Sequence, residues 1–250
     1  MARLMTEALI DSHDAALFDL DGVVYLGSEV VPAAPATMSR LRARGVGVGF
    51  VTNNAARATT VVADQLTDMG IPAAPSDVVS SAEAVTDLVA AELGQGTRVL
   101  IAATSNVDDL ARQRGLVPVH SADEHPQAVI QGYDPDIEWS RLEEAAFAVQ
   151  AGAHWYASNP DMTRPTDRGL VPGLGAQLAV VGACVDREPT MAGKPARPLL
   201  EATCTRLGCH RPIFVGDRLD TDILGARNVG ITSLFVLTGA HGVHLSLIHI

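Results

Sequence analysis

The chain has 250 residues, 18 Lys and Arg against 29 Asp and Glu, and a net charge of −11. At 47% hydrophobic and 19% charged it can bury a sizeable core, which excludes a disordered chain. The acidic balance excludes a general nucleic-acid binder, and no apolar run approaches the ~20 residues of a membrane helix.

Ala15 to Phe18 reads as a short buried strand that runs into Asp19-Leu20-Asp21-Gly22, two carboxylates and a glycine turn. A helical pattern follows from about Ala33 to Arg44. Gly45 to Val51 is a second buried strand, ending in Thr52-Asn53-Asn54. Helices are expected over Arg57–Met69 and from Ser81 to Gly94, the latter capped by Ser80 or Ser81. Next come a strand (Arg98–Ala102), a helix (Asn106–Arg114), a strand (Ala128–Gln131) and a helix (Glu138–Ala151). The strand His154–Ala157, with His154 read as packed, enters Ser158-Asn159-Pro160-Asp161. Helices over Gly173–Cys184 and Pro195–Leu207 precede the strand Ile213–Val215, which ends in Gly216-Asp217. A helix near Thr221–Asn228 and a strand over Thr232–Leu237 follow.

Strands alternating with helices predict an α/β protein, a Rossmann-like parallel-sheet core of right-handed βαβ units. Residues 82–187 hold their own strands and helices between two groups of strand-end polar residues. They are read as an inserted α/β cap domain, with 1–81 and 188–244 as the core. Residues 1–10 lack the long apolar region of a signal peptide. Cys184, Cys204 and Cys209 fit neither a disulfide framework nor a zinc pattern, which points to a reducing, cytoplasmic setting.

In open parallel sheets, ligands bind beyond the carboxyl ends of the strands. Three expected strands end in polar groups: Asp19 with Asp21, Thr52 with Asn53 and Asn54, and Asp217 with Asp222. Clustered carboxylates repel unless a cation joins them, and oxygen-only ligands with room for water and phosphate suit Mg²⁺. Lys194 is the only lysine, against 17 arginines, and stands in Ala192-Gly193-Lys194-Pro195 before the third group. Its compact ammonium differs from an arginine fork and suits a specific chemical task. A phosphoryl group fits this set. One carboxylate can attack it and a second can move protons, while Thr52 and Lys194 meet the equatorial oxygens.

These residues resemble the haloacid dehalogenase superfamily of phosphatases. Asp19-Leu20-Asp21-Gly22-Val23 is similar to its first motif and Thr52-Asn53-Asn54 to its second. Gly193-Lys194-Pro195 is similar to the third, and Gly216-Asp217-Arg218-Leu219-Asp220-Thr221-Asp222 to the fourth. The large insert resembles the α/β-capped branch that includes nitrophenylphosphatase-like, phosphoglycolate, pyridoxal-phosphate and glycerol-3-phosphate phosphatases. The resemblance spans residues 14–240. It implies Mg²⁺-dependent hydrolysis of small phosphorylated metabolites, glycerol 3-phosphate or phosphoglycolate among them. It implies that Asp19 is the nucleophile and Asp21 the general acid/base. Thr52 and Lys194 would bind phosphoryl oxygens, with Asn53 and Asn54 beside them. Asp19, the Asp21 carbonyl and Asp217 would hold the metal, and Asp222 would support the metal shell or Lys194.

Asn159 and Asp161, in the cap, are candidates for lining the substrate pocket or for a turn with a helix cap. Arg57 is a candidate for meeting a substrate carboxylate or a solvated helix residue. Caps of this type often mediate homodimers. Residues 245–250 lack the continuation expected of the family and are set apart as an anomalous tail. Two other readings use the same residues. A receiver-like signalling module also holds an aspartyl-phosphate with Asp, Thr and Lys, but has no need of the insert. A catalytically inactive relative is the third.

Overall fold

The computed structural model describes residues 8–166 and 168–240. The tail at 245–250 and the last four residues assigned to the core, 241–244, lie outside the described residues.

The first strand, β1 (Ala15–Asp19), is buried along its whole length. A run apolar on both faces suits the centre of a parallel sheet, where helices cover both sides. The hairpin β2 (Tyr25–Leu26) and β3 (Glu29–Val30) follows, then α1 (Ala34–Ala43), β4 (Gly47–Thr52), α2 (Thr59–Asp68) and β5 (Val78–Ser80). Helix α3 (Ser81–Leu93) starts directly on β5. A reciprocal cap fixes its start: Glu83 N donates to Ser80 Oγ, and Ser80 N donates to Glu83 Oε2. Gly94, at φ +85°, ends it.

The chain then builds a second sheet from β6 (Arg98–Ala102), α4 (Ser105–Gln113), β7 (Val117–Val119), β8 (Ala128–Gln131), α5 (Trp139–Gln150) and β9 (His154–Ala157). An antiparallel hairpin, β10 (Thr163–Thr166) and β11 (Gly169–Pro172), precedes α6 (Leu174–Gly182) and β12 (Thr190–Met191). Helix α7 (Arg197–Leu207), β13 (Pro212–Gly216), α8 (Leu224–Asn228) and β14 (Thr232–Phe235) return to the first sheet.

The strand orders are β14-β13-β1-β4-β5 and β12-β9-β8-β6-β7, five strands each. All pairings in both sheets are parallel, as the alternation of strands and helices predicts. Helix α3 lies between the sheets. Its Ala82, Val85 and Val89 join Leu17, Val51 and Phe214 of the first sheet to Val99, Ile101 and Ile130 of the second in one core. The expected boundary at Ala82 therefore cuts a helix that serves both sheets. Strand β12 pairs with β9 in the second sheet, beyond the expected insert end at 187. The other face of the first sheet packs Phe18 and Phe50 against Met38 of α1 and Leu66 of α2. The other face of the second packs Val129 and Trp155 against Leu142 of α5 and Leu178 of α6.

Strands β2, β3, β5, β7, β10, β11 and β12 are absent from the sequence reading. At two to four residues each they are too short to display a period. Pro118 lies inside β7, which is tolerated because β7 is an edge strand. His154 corrects an expectation. It is exposed at the start of β9, and Trp155, Tyr156 and Ala157 do the packing. Among the described residues, no helix is long and apolar enough to cross a membrane.

Candidate active site

Strands β13, β1 and β4 are neighbours, so their carboxyl ends face one crevice. Asp19 is the last residue of β1, Thr52 is the last of β4, and Asp217 directly follows β13. Lys194 arrives from the connection between β12 and α7.

Lys194 is only 2% exposed. Its Nζ donates to Asp19 Oδ1 at 2.5 Å and to Asp222 Oδ1 at 2.7 Å, and lies 5.2 Å from the centre of the Phe214 ring. Burial disfavours the ammonium, but the two carboxylates overcome it and hold its pKa above that of an ordinary lysine. Asp222 is committed on both oxygens. Its Oδ2 accepts from the main-chain N–H groups of Asp217 and Arg218, both at 3.1 Å. It therefore fixes the loop after β13 and the head of Lys194 together, which places it as a support more than as a free metal ligand.

Asp19, Asp217 and Asp222 each offer a carboxylate oxygen within 4.8 Å of the others. One ammonium serves three carboxylates, and burial with the charge of Asp222 pushes the pKa of Asp19 upward against Lys194. Asp217 Oδ2 accepts from Ala240 N at 2.5 Å, while its buried Oδ1 has no hydrogen-bond partner. An all-oxygen donor set with an unsatisfied buried carboxylate oxygen fits a hard divalent cation such as Mg²⁺. Gly22 makes the approach between the first and fourth motifs. At φ +88°, a Cβ there would lie 2.5 Å from Asp217 Oδ2.

The Asp21 carboxylate stands outside this group, and the metal role expected of Asp21 belongs to its main-chain carbonyl. It opens to solvent at the mouth of the crevice. The surrounding protein still desolvates it enough to raise its pKa, against the opposing charges of Arg57, Lys194 and Arg164. A carboxyl group so placed holds a proton more readily than an exposed one.

Thr52 is buried, and its Oγ1 accepts from Asn54 N at 3.0 Å, which leaves the hydroxyl hydrogen free to donate. Asn54 Oδ1 accepts from Ala56 N at 3.0 Å and so shapes the turn. The Asn53 side chain does not stand free beside a phosphate position; it bonds to Lys194 and Asp161. Asn159 is buried and holds Asn53 O with its Nδ2, so it braces the site and does not line an open pocket. Asp161 Oδ2 accepts from Asn53, whereas its buried Oδ1 has no partner. Arg57 donates to Tyr25 Oη at 3.2 Å and to Gln65 Oε1.

Two model matches cover the strands that carry these motifs. Residues 16–117 match the haloacid dehalogenase-like hydrolase model, and residues 191–246 match the HAD-hydrolase-like model. An acid sugar phosphatase from Staphylococcus aureus is 34% identical over 229 residues, 91% of this chain and 87% of that protein. The chain belongs to the haloacid dehalogenase-like hydrolases. Within this family it is 42% identical over 235 residues to a D-glycerol 3-phosphate phosphatase from Mycobacterium tuberculosis. That alignment covers 94% of this chain, which spans only 66% of that protein's length. The crystal structure of a glycerol phosphate phosphatase from M. tuberculosis in complex with magnesium matches at a TM-score of 0.90 and 42% identity, over 94% of this chain and 70% of that one. A 4-nitrophenylphosphatase from Thermotoga maritima matches at a TM-score of 0.90 and 27% identity, over 98% and 93% of the two chains.

Some residues of this hydrolase's site escape the sequence reading. Ser81 Oγ donates to Asn53 O at 2.6 Å, and Arg164 Nε donates to Tyr133 Oη at 2.9 Å. Gly216 is another. A Cβ at Gly216 would lie 2.3 Å from Asp222 Cβ and 2.6 Å from Asp222 Cγ. Asp222 is short and held at both oxygens, so it cannot swing away. Gly216→Ala is expected to cost about 1–3 kcal/mol of stability and to lower activity by displacing Lys194. Denaturant titration and a turnover assay on the same preparation check both effects.

Proposed function

We propose that this chain hydrolyses small phosphomonoesters through a phosphorylated Asp19, with Mg²⁺ held by Asp19 and Asp217. One observation carries the reading. Lys194 Nζ holds Asp19 and Asp222 in a buried cluster where Asp217 keeps an unpartnered oxygen. When bound, the ion offsets the repulsion between a phosphate dianion and Asp19.

The chain's own residues supply the steps. Lys194 fixes Asp19 Oδ1, and the other oxygen of Asp19 attacks phosphorus. As that bond forms, the ester P–O bond breaks, and Asp21 gives a proton to the leaving alkoxide. Asp21 then takes a proton from water as the water oxygen attacks phosphorus. The bond to Asp19 breaks, phosphate leaves, and both carboxyl groups return to their starting state. Thr52 and Lys194 donate to the equatorial oxygens, where transition-state charge lies. The raised pKa of Asp21 supports its acid role.

The unit built on the second sheet acts as a cap that selects the leaving group. Asp161, Arg57 and Arg164 around Asp21 make a polar site, which favours a small polar leaving group. The 42% identity to a D-glycerol 3-phosphate phosphatase supports glycerol 3-phosphate over phosphoglycolate as the first substrate to assay. Three free cysteines support a cytoplasmic setting.

Phosphate release from glycerol 3-phosphate, phosphoglycolate and 4-nitrophenyl phosphate tests the reading. Many turnovers are expected with Mg²⁺ and none with chelator, with glycerol 3-phosphate fastest. Full turnover in chelator, or none with any ester, would overturn it. A single stable labelling of the protein without turnover would indicate a receiver-like module instead.

A further inference from the structure

Asn53 follows β4 directly, and its motif suggests a place against the phosphate. Its side chain is spent elsewhere. Asn53 Oδ1 accepts from Lys194 N at 2.9 Å, and Nδ2 donates to Lys194 O at 3.0 Å and to Asp161 Oδ2 at 3.1 Å. Both donors of the carboxamide are used, and its acceptor oxygen is engaged. One side chain thus clamps both main-chain polar groups of the residue whose ammonium holds Asp19.

The main chain of Asn53 is tied as well. Its carbonyl accepts from Ser81 Oγ at 2.6 Å and from Asn159 Nδ2 at 2.7 Å. Ser81 opens α3, whereas Asn159 and Asp161 belong to the loop between β9 and β10. The approach is close enough to require glycine beside it. A Cβ at Gly193 would lie 2.7 Å from Asn53 Oδ1 and 2.3 Å from Ser158 O.

Resting on the phosphatase reading, we propose that Asn53 is a positioning residue that sets Lys194 through its main chain and passes the placement of the Asp161 loop to it. The chain of contacts is short: Asp161 carboxylate to Asn53 carboxamide, carboxamide to Lys194 backbone, and Lys194 ammonium to Asp19. A shift of the cap loop reaches the attacking carboxylate through these bonds and no moving helix.

The single lysine makes this testable without turnover. Protein grown on isotope-labelled lysine carries one side-chain ammonium signal, that of Lys194. Asn53→Ala is expected to move that signal and to lower kcat about ten- to a hundredfold, with a smaller change in KM. Asn53→Asp keeps the volume but loses both donors and sets a carboxylate against Asp161, so a similar loss there shows that a cavity is not the cause. Circular dichroism verifies that each variant is folded. Asp161→Ala is expected to move the Lys194 signal in the parent and to leave it in place when Asn53→Ala is already present. An unmoved signal in folded Asn53→Ala would overturn the proposal. Equal effects of Asp161→Ala in both backgrounds would overturn the link to the cap loop. A parent protein that showed these shifts but released no phosphate would sink the phosphatase reading alone.

Discussion

Asp19→Asn is expected to abolish turnover and to leave a protein that melts no earlier than its parent. A carboxamide oxygen is a poor nucleophile, so the loss should be at least about 10⁴-fold. The substitution keeps the shape and an acceptor for Lys194 Nζ, which also retains Asp222 at 2.7 Å. Stability should move the other way. Burial and the Asp222 charge both oppose an ionised Asp19, and Lys194 offsets them only in part. Removing one charge from three clustered carboxylates relieves repulsion that the native protein retains for function. Phosphate release and a thermal melt on one preparation decide the matter. A variant keeping more than about one hundredth of parental activity would remove Asp19 from the nucleophile's role. One that is inactive but melts well below the parent would show a folding defect instead.

The two outcomes reflect how differently fold and site are written in the sequence. Strands buried on both faces announce themselves as continuous apolar runs, and Ala15–Asp19, Gly47–Thr52 and Ala128–Gln131 are legible for that reason. Asp19 and Asp217 are legible because polar groups at the ends of such runs must face the carboxyl edge of the sheet, and Lys194 because it is the single lysine among 17 arginines. The division of labour among Asn53, Asn159 and Asp161 is not legible. Each is a polar residue near a strand end, and whether its side chain faces ligand or protein depends on partners 106–141 residues away. Local pattern carries no record of such pairings. The boundary at Ala82 has the same limit. Helix α3 is apolar enough to serve two sheets, and composition cannot divide a helix that both cores share. Strands as short as β5 and β12 pair because longer neighbours present open edges, so they carry little pattern of their own.

Lys194→Met is expected to damage both stability and rate, in a way that Mg²⁺ partly reverses. Methionine fills a similar volume without the ammonium. Asp19 and Asp222 then lose the donor at 2.5 and 2.7 Å from them, in a site where Lys194 is 2% exposed. Removing one partner of a buried ionic cluster leaves uncompensated charge, at about 3–5 kcal/mol. For a chain of this size that lowers the melting temperature by on the order of ten degrees. The rate should fall about 10²–10³-fold, because an equatorial oxygen loses its cationic donor and Asp19 loses its fixed geometry. A ligand that binds only the native state stabilises it, and carboxylates freed from an internal cation hold an external one more tightly. Mg²⁺ should therefore raise the melting temperature of Lys194→Met more than that of the parent. Equal shifts, or a variant as stable as the parent without metal, would mean that the three carboxylates do not share their charge with an ion. Lys194→Arg should fail to restore the rate. Its planar fork is too broad for a pocket closed by Phe214 and two carboxylates. This steric limit is a physical reason for one lysine to persist in a chain whose other 17 basic residues are arginines.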